Sequence, residues 1–408
     1  MTERLQRFGY VQVEDRTGLC FPAHEFHHAM AEPLEGACMA YNVRKAGAPQ
    51  KPWACGFERK RTLAAFAHAH FLSHPELVRR FLGMKHGGNV WASDEPAAWL
   101  DFSANLRPEG TPDWVMRAMQ AALHNARYYP DRAMRAARAG LAVYAGVPEA
   151  CILPTAGGVD AIDACMALHP GRVRTEAPAF GEYAERAAVH GKAHALWDGR
   201  FAPGDLLMLG NPNNPTGSAR SREDILALHA QAMRSGAALA VDEAFIDFCP
   251  EHSVRRNVEQ GLTVVGSLTK TLCIPGVRLG YICAAPEVIA WMERRALPWS
   301  LNMLAAEIAA QLPAHLEDIR RDAECNARRR ERLASRLWAH GARVEPSQAN
   351  FLLVDFGQDM SSAVERLRAQ HILVRTCASF GLGKSMLRLA VRTDAENDRL
   401  VDALWGNG

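Results

Sequence analysis

Lys270 stands in the run SLTKTLCIPGVRLGY, directly after the strand-like LTVVGSL, with hydroxyls at Ser267 and Thr269 and a guanidinium at Arg278. An amine held out of water can condense with a carbonyl, and the flanking hydroxyls and arginine can converge on a phosphate. Upstream, LAVDEAF ends a strand-like run on Asp242, a carboxylate able to keep a pyridine nitrogen protonated. GNPNNPTG reads as a turn in which Asn214 can hydrogen-bond a ring oxygen, and PTAGGVDAIDA as a glycine loop opening a helix. Backbone N–H groups at Gly157, Gly158 and Val159 would then cradle a phosphate. Phe180, in EAPAFGEY, is a flat side chain able to stack on a ring. A carbonyl, a pyridine nitrogen, a ring oxygen and a phosphate occur together in pyridoxal 5'-phosphate (PLP), and this order of residues supplies a partner for each. Lys270 and Asp242 are the expected catalytic pair.

Elements that can position such residues follow from the pattern. From about residue 86 to 300, short apolar runs alternate with amphipathic stretches; DLLMLGNP, AALAVDEAF, LTVVGSL and RLGYICAA each end in Gly, Pro, Asn or Asp. Buried parallel strands of an α/β sheet read this way. Residues 305–345 carry apolar residues at helical spacing within a highly charged sequence, and the basic cluster ARRRER within them reads as a solvated helix face. ANFLLVDF and MLRLAVR then flank a helix, as expected of a smaller α+β domain. The expected organisation is a separate segment at 1–85, the N-terminal part of a small domain at 86–130, a PLP-binding large domain at 131–304 and a C-terminal small domain at 305–408.

The bulk properties narrow the partners. The chain has 408 residues, 48% hydrophobic and 23% charged, with a formal net charge of +2, and no long run of like charges. Nothing in that balance calls for nucleic acid or an anionic membrane as partner. The ten cysteines form no CxxC pair and the first residues, MTERLQRFGY, lack the apolar core of a signal peptide. Reduced, mostly buried thiols and a cytoplasmic location are expected. No metal site is expected.

The ordered set of motifs resembles the fold type I aminotransferase superfamily over roughly residues 86–405. Within it the chain is similar to the branch containing histidinol-phosphate aminotransferase and threonine-phosphate decarboxylase. HGGN at 86–89, DFSANLRPEG at 101–110, YYPD at 128–131, DEAFIDF at 242–248, the Lys270 run and LPWSLN at 297–302 look like the decarboxylase pattern. The resemblance implies a large domain with a mostly parallel central sheet, a smaller α+β domain, and a homodimer in which Tyr129 reaches the phosphate of the neighbouring subunit's cofactor. It implies that Arg388 binds a substrate carboxylate, with Arg375, Asn350, Ser103 and Asn105 nearby, and that the substrate is a phosphorylated amino acid. The implied reaction is decarboxylation of L-threonine O-3-phosphate to (R)-1-aminopropan-2-yl phosphate in cobalamin biosynthesis. Transamination of the histidinol-phosphate type, or an inactive PLP-fold scaffold, are the alternatives. Phe245 stands where many aminotransferases have a Tyr that hydrogen-bonds the cofactor's ring oxygen.

FGYVQVE, PAHEFHHAM, AYNVRKAG and AFAHAHFLSHPELVRRFL, in residues 1–85, resemble the C-terminal end of the glutaminase domain of cobyrinate a,c-diamide synthase, without its nucleophilic cysteine. His68 or His70 would descend from the base of that domain, and so short a piece is not expected to bury its own apolar face. Two motifs mislead. His24-Glu25-Phe26-His27-His28 satisfies HExxH, but Pro22 precedes it and no third ligand follows; ASFGLGKS at 378–385 is one glycine short of a phosphate-binding loop and too near the end of the chain.

Overall fold

The structure, a computed structural model, describes residues 7–16, 18, 20–27, 38–45, 52–59, 62–69, 87, 88, 90 and 95–406. The chain divides into two compact units, Met1–Lys85 and His86–Gly408.

In the first unit, β1 (Arg7–Asp15), β2 (Cys20–His27), β3 (Cys38–Lys45), β4 (Trp53–Arg59), β5 (Thr62–Ala64) and β6 (Ala67–Ala69) form one antiparallel sheet in the order β5-β4-β3-β1-β2-β6. Val13 pairs with Phe21 on one side and Val43 on the other, so the period-two alternation puts these side chains on one face. With Val11, Ala23, Ala40, Tyr41 and Cys55 they make a buried core of their own. This corrects the expectation that the segment cannot bury its apolar face. HExxH lies on a strand, which sends successive side chains to opposite faces; His28, His70 and HPELVRRFLG are outside the described residues.

The second unit opens with β7 (Leu100–Asp101), α1 (Asp113–Leu123) and α2 (Arg135–Ala145). Then come β8 (Ile152–Thr155), α3 (Gly158–Leu168), β9 (Val173–Thr175), α4 (Glu182–Val189), β10 (His194–Leu196), β11 (Leu206–Gly210), α5 (Arg222–Arg234), β12 (Ala238–Asp242), β13 (Thr263–Ser267), β14 (Gly280–Cys283), α6 (Pro286–Glu293) and α7 (Met303–Gln311). The seven strands β8–β14 form a sheet in the order β10-β9-β11-β12-β13-β14-β8. Pairs from β10 to β13 are parallel; β14 runs antiparallel to both its neighbours, so RLGYICAA is the exception to the expected parallel reading. Both faces are covered. In β11, Leu207 and Leu209 enter a core with α1, α2, α5 and α7, while Leu206 and Met208 enter a second core with α3, α4 and α6.

The smaller domain follows α8 (Leu316–Ala339). It comprises β15 (Arg343–Val344), β16 (Phe351–Asp355), α9 (Ser361–Ala369), β17 (Ile372–Leu373), β18 (Arg375–Thr376), β19 (Met386–Ala390) and α10 (Asp394–Trp405). Its antiparallel sheet has the order β15-β16-β19-β18, and β17 pairs with β7. Its core takes Leu100 and Phe102 from the start of the unit and Leu333 and Leu337 from the end of α8.

Three expectations need adjusting. Trp114, Val115 and Ala118 of α1 sit in the large-sheet core, so 86–130 is not wholly small-domain. Ala305, Ile308, Ala309, Leu312 and Ile319 sit there too, so the passage to the small domain falls within α8 and not at residue 305. The basic cluster is not all solvated: Arg330 is buried and donates to the Ala349 carbonyl at 3.0 Å. ASFGLGKS leads into strand β19, whereas a phosphate-binding loop leads into a helix. All ten cysteines are free and six are buried. Among the described residues no helix is long and apolar enough to cross a membrane.

Close packing of α2 on α7 depends on Gly140, where an added Cβ would stand 2.0 Å from the Ala309 carbonyl oxygen. Alanine gains about 1 kcal/mol of helix propensity, but backbone cannot rotate away as a side chain would, and overpacking costs roughly 1–3 kcal/mol. We therefore expect Gly140→Ala to lower the denaturation midpoint despite its better propensity. Chemical denaturation checks this, and an unchanged or raised midpoint would contradict it.

Candidate active site

Asp242 is the last residue of β12 and Ser267 the last of the neighbouring parallel strand β13. Ligands of open α/β sheets bind outside such carboxyl ends. The Asp242 carboxylate is buried; Tyr183 of α4 donates to its Oδ2 at 2.8 Å and the Ala244 N–H to its Oδ1 at 2.9 Å. Burial raises its pKa, while Tyr183, Ala244 and Lys270 pull the other way and leave a net rise. A carboxyl so placed has the proton affinity needed to share a proton with a pyridine nitrogen. Phe180 stands edge-on to Tyr183, ring centroids 5.7 Å apart at 89°. Tyr183 lies in the same EAPAFGEY run that was read for Phe180, but its bond to a residue 59 positions away has no local sequence signal.

Lys270 sits in a turn closed by Leu272 N–H to Leu268 O at 3.0 Å and Ile274 N–H to Thr269 O at 3.1 Å. Its amine is pushed down to about 8, first by burial, then by Arg388 and Arg278, with Asp242 opposing. The sign favours a nucleophile: the neutral amine is reached at much lower pH than for an exposed lysine.

A cradle for phosphate lies beside it. Gly157 has φ +95°, and a Cβ there would stand 2.7 Å from Arg278 Nη2; one on Gly158 would stand 3.2 Å from Ser267 Cβ, and one on Gly280 2.6 Å from the Gly157 carbonyl carbon. Three glycines thus let the head of α3, Ser267 and Arg278 meet. The first N–H groups of α3, Val159 among them, have no acceptor within the helix. Ser267 Oγ accepts the Thr269 N–H at 3.4 Å, and the buried Thr269 Oγ1 has no hydrogen-bond partner among the described residues.

On the other side, Arg375 of β18 and Arg388 of β19 face each other across the ladder, both buried. Arg388 donates to Asn214 Oδ1 and to the Ser103 carbonyl, each at 2.7 Å, and its buried Nε has no hydrogen-bond partner among the described residues. Burial first, and Arg375 second, push it down to about 9. Burial also lowers Arg375, which donates to Ser379 Oγ at 2.7 Å. Ser103 Oγ donates to Asp101 Oδ1 at 2.6 Å and accepts the Gly88 N–H at 2.8 Å. Asn350 Nδ2 donates to the Asn105 carbonyl at 3.1 Å, and the buried Oδ1 atoms of both asparagines have no hydrogen-bond partner among the described residues. Asn214 spends its oxygen on Arg388, so its Nδ2 remains to donate to a ring oxygen. Phe245 packs in an apolar group with Ala349 and Phe351. Tyr129 stands apart: it is 81% exposed, and its ring rests on Trp299 at 4.8 Å.

Cradle glycines, partner-free buried donors and acceptors, and a proton-avid carboxyl beside a depressed lysine all fit PLP. Lys270 would hold its carbonyl carbon, Asp242 its ring nitrogen, Asn214 its ring oxygen, and Gly157–Val159, Ser267, Thr269 and Arg278 its phosphate. Similarity to known proteins points to the same cofactor. The family model "Aminotransferase class I and II" matches residues 97–404. A threonine-phosphate decarboxylase of Salmonella typhimurium is 33% identical over 364 residues, 78% of this chain and 95% of that one. An adenosylcobalamin biosynthesis bifunctional protein of Leptospira interrogans is 26% identical over 78% of this chain and 40% of its own length. Among solved structures, the histidinol-phosphate aminotransferase of Clostridium acetobutylicum superposes with a TM-score of 0.69 at 25% identity, covering 75% of this chain and 98% of that one.

Gly157→Ala combines a left-handed strain of roughly 1–2 kcal/mol with displacement of the Arg278 guanidinium. At about 1.4 kcal/mol per tenfold, we expect PLP to bind at least ~10-fold more weakly, measured by equilibrium dialysis. Unchanged affinity would place the phosphate elsewhere.

Proposed function

The chain belongs to the class I and II aminotransferase family, a PLP-dependent enzyme family, and from that premise we propose that it decarboxylates L-threonine O-3-phosphate to (R)-1-aminopropan-2-yl phosphate. The observation that carries the reading is Arg388: a buried guanidinium beside Lys270 whose hydrogen bonds among the described residues go to neutral oxygens, with the Phe351 and Phe380 rings against it and Asp101 acting on it only through space. It is a receptor for an anionic group. Arg375 across the ladder provides a second cation, so a substrate with two acidic groups, a carboxylate and a phosphate, matches the charge present. The reaction itself is supported by the Salmonella decarboxylase, matched over 95% of its length. The Leptospira relative supports a place in cobalamin biosynthesis.

PLP, when bound, supplies an electron sink for the bond broken at Cα. The chain's own groups do the rest. Asp242 holds a proton at the ring nitrogen, which maintains that sink. Arg388 and Arg375 would fix the acidic groups of the substrate and so select which Cα bond is broken. Decarboxylation breaks the Cα–carboxylate bond, carbon dioxide leaves, and a proton from the Lys270 amine is delivered to Cα. Tyr129, exposed in one chain, is available to a second copy, which supports a homodimer with Tyr129 completing the neighbour's phosphate site. A second reading, transamination of histidinol phosphate, draws on the Clostridium structure; it uses the same residues with the Cα–H bond perpendicular instead.

The test is carbon dioxide release from L-threonine O-3-phosphate by the PLP-loaded protein with no keto acid present. We expect turnover that falls by roughly 10²–10⁴-fold in Lys270→Ala. No release, together with turnover of histidinol phosphate that requires 2-oxoglutarate, would contradict the proposal and establish the second reading.

A further inference from the structure

A second polar cluster lies within the large-sheet core that α2 covers, and none of it has entered the chemistry above. Asp247, five residues after Asp242, accepts two hydroxyl hydrogen bonds: Thr271 Oγ1 donates to its Oδ2 at 2.6 Å, and Tyr144 of α2 donates to its Oδ1 at 2.5 Å. Thr271 is buried and directly follows Lys270. Arg255 lies 4.8 Å over the Tyr144 ring and donates to Tyr281 Oη at 3.3 Å. Tyr281 in turn lies flat against Gly266, where a Cβ would meet its Cζ at 2.1 Å, immediately before Ser267. Glu243, the neighbour of Asp242, is held by Ser253 Oγ and the Val254 N–H, both at 2.6 Å. Burial works against the charge of Arg255, and Tyr281, Tyr144, Asp247 and Glu243 together more than offset it.

The residues next to Lys270 and Asp242 are therefore tied into one network behind the strand ends. We propose that Asp247 is a positioning residue for Lys270: its carboxylate ties the turn that carries the lysine to α2 and so fixes where the amine sits among Arg388, Arg278 and Asp242. The Arg107 N–H on the Lys270 carbonyl at 3.2 Å and Thr111 Oγ1 on the Cys273 carbonyl at 2.8 Å also hold the turn. The Thr271 hydroxyl bond to an anion, stronger than a neutral pair, adds the tie to α2 that limits the small shift deciding whether the amine is enclosed or hydrated. The inference rests on Lys270 being the reacting amine, but not on which substrate it meets.

Its test reads the lysine directly, in the full-length chain before cofactor is added. The rate of Lys270 acylation by a small amine reagent, followed by mass spectrometry of its peptide, is recorded against pH. The groups facing the amine are Arg388, Arg278, Asp242 and Cys273, and the wild-type midpoint is expected at about 8. In Asp247→Ala the loosened turn lets water reach the amine, so the midpoint rises toward the ordinary lysine value by about one pH unit. Loss of a nearby negative charge by itself would move it the other way, so an upward shift distinguishes positioning from direct electrostatics. Thr271→Val, which removes only the turn's own donor, shifts it upward by about half as much, and Thr271→Ser restores it. Circular dichroism confirms that each variant is folded; should Asp247→Ala fail that check, the two Thr271 variants decide. A midpoint unmoved or lowered in folded variants overturns the proposal. Absent carbon dioxide release with the upward shift intact sinks the decarboxylase and leaves the positioning role standing.

Discussion

A buried guanidinium, Arg388, with no carboxylate hydrogen-bonded to it among the described residues is the constraint on which this site is built. A guanidinium taken out of water costs several kcal/mol unless an anion or a full set of acceptors replaces its hydration. Arg388 is given two neutral oxygens and an empty Nε, with another arginine directly across the ladder. Lys270, depressed first by burial, is depressed further by Arg388 and Arg278. On the proposed reading, anionic ligands would complete this arrangement: the cofactor phosphate beside Arg278 and the acidic groups of the substrate beside Arg388 and Arg375.

The rest of the second unit reads as the frame for that charge. Parallel strands bring Asp242 and Ser267 to adjacent ends, and the reversed β14 brings Gly280 under the Gly157 loop. The small domain supplies both arginines from neighbouring antiparallel strands, while β7 and β17 tie the segment carrying Ser103 and Asn105 to it. Arg107 pins the same segment to the rest: its N–H donates to the Lys270 carbonyl at 3.2 Å, and its side chain pairs with Asp322 of α8 at 2.7 Å. Ser103, Arg388 and Lys270 are thereby held in register across the domain passage.

Much of this was legible in the sequence, for physical reasons that differ by residue. Lys270, Asp242, Gly157 and Arg278 were readable because each follows a strand end or a turn whose residue types are locally constrained. Four strands were readable as apolar runs, but the direction of β14 was not, since a run buried on both faces looks the same either way. The limits of the small domain were misplaced because α1 and α7 bury residues against partners distant in the chain. Tyr183 on Asp242, the facing of Arg375 and Arg388, and the Asp247 network are all long-range pairings, invisible to spacing. The buried face of the N-terminal unit was missed because its alternation is carried across strands, as in Val13 between Phe21 and Val43.

The most direct measurement of the central claim compares the dissociation constants of L-threonine O-3-phosphate and L-threonine for the PLP-loaded enzyme, by absorbance titration. If Arg388 keeps donors for the substrate's anionic groups, the phosphate should gain two charge-assisted hydrogen bonds worth about 1.5–3 kcal/mol each. The account predicts that the phosphorylated ligand binds at least ~100-fold more tightly. Equal affinities would contradict it, and would mean that the buried charge serves the fold and not the substrate.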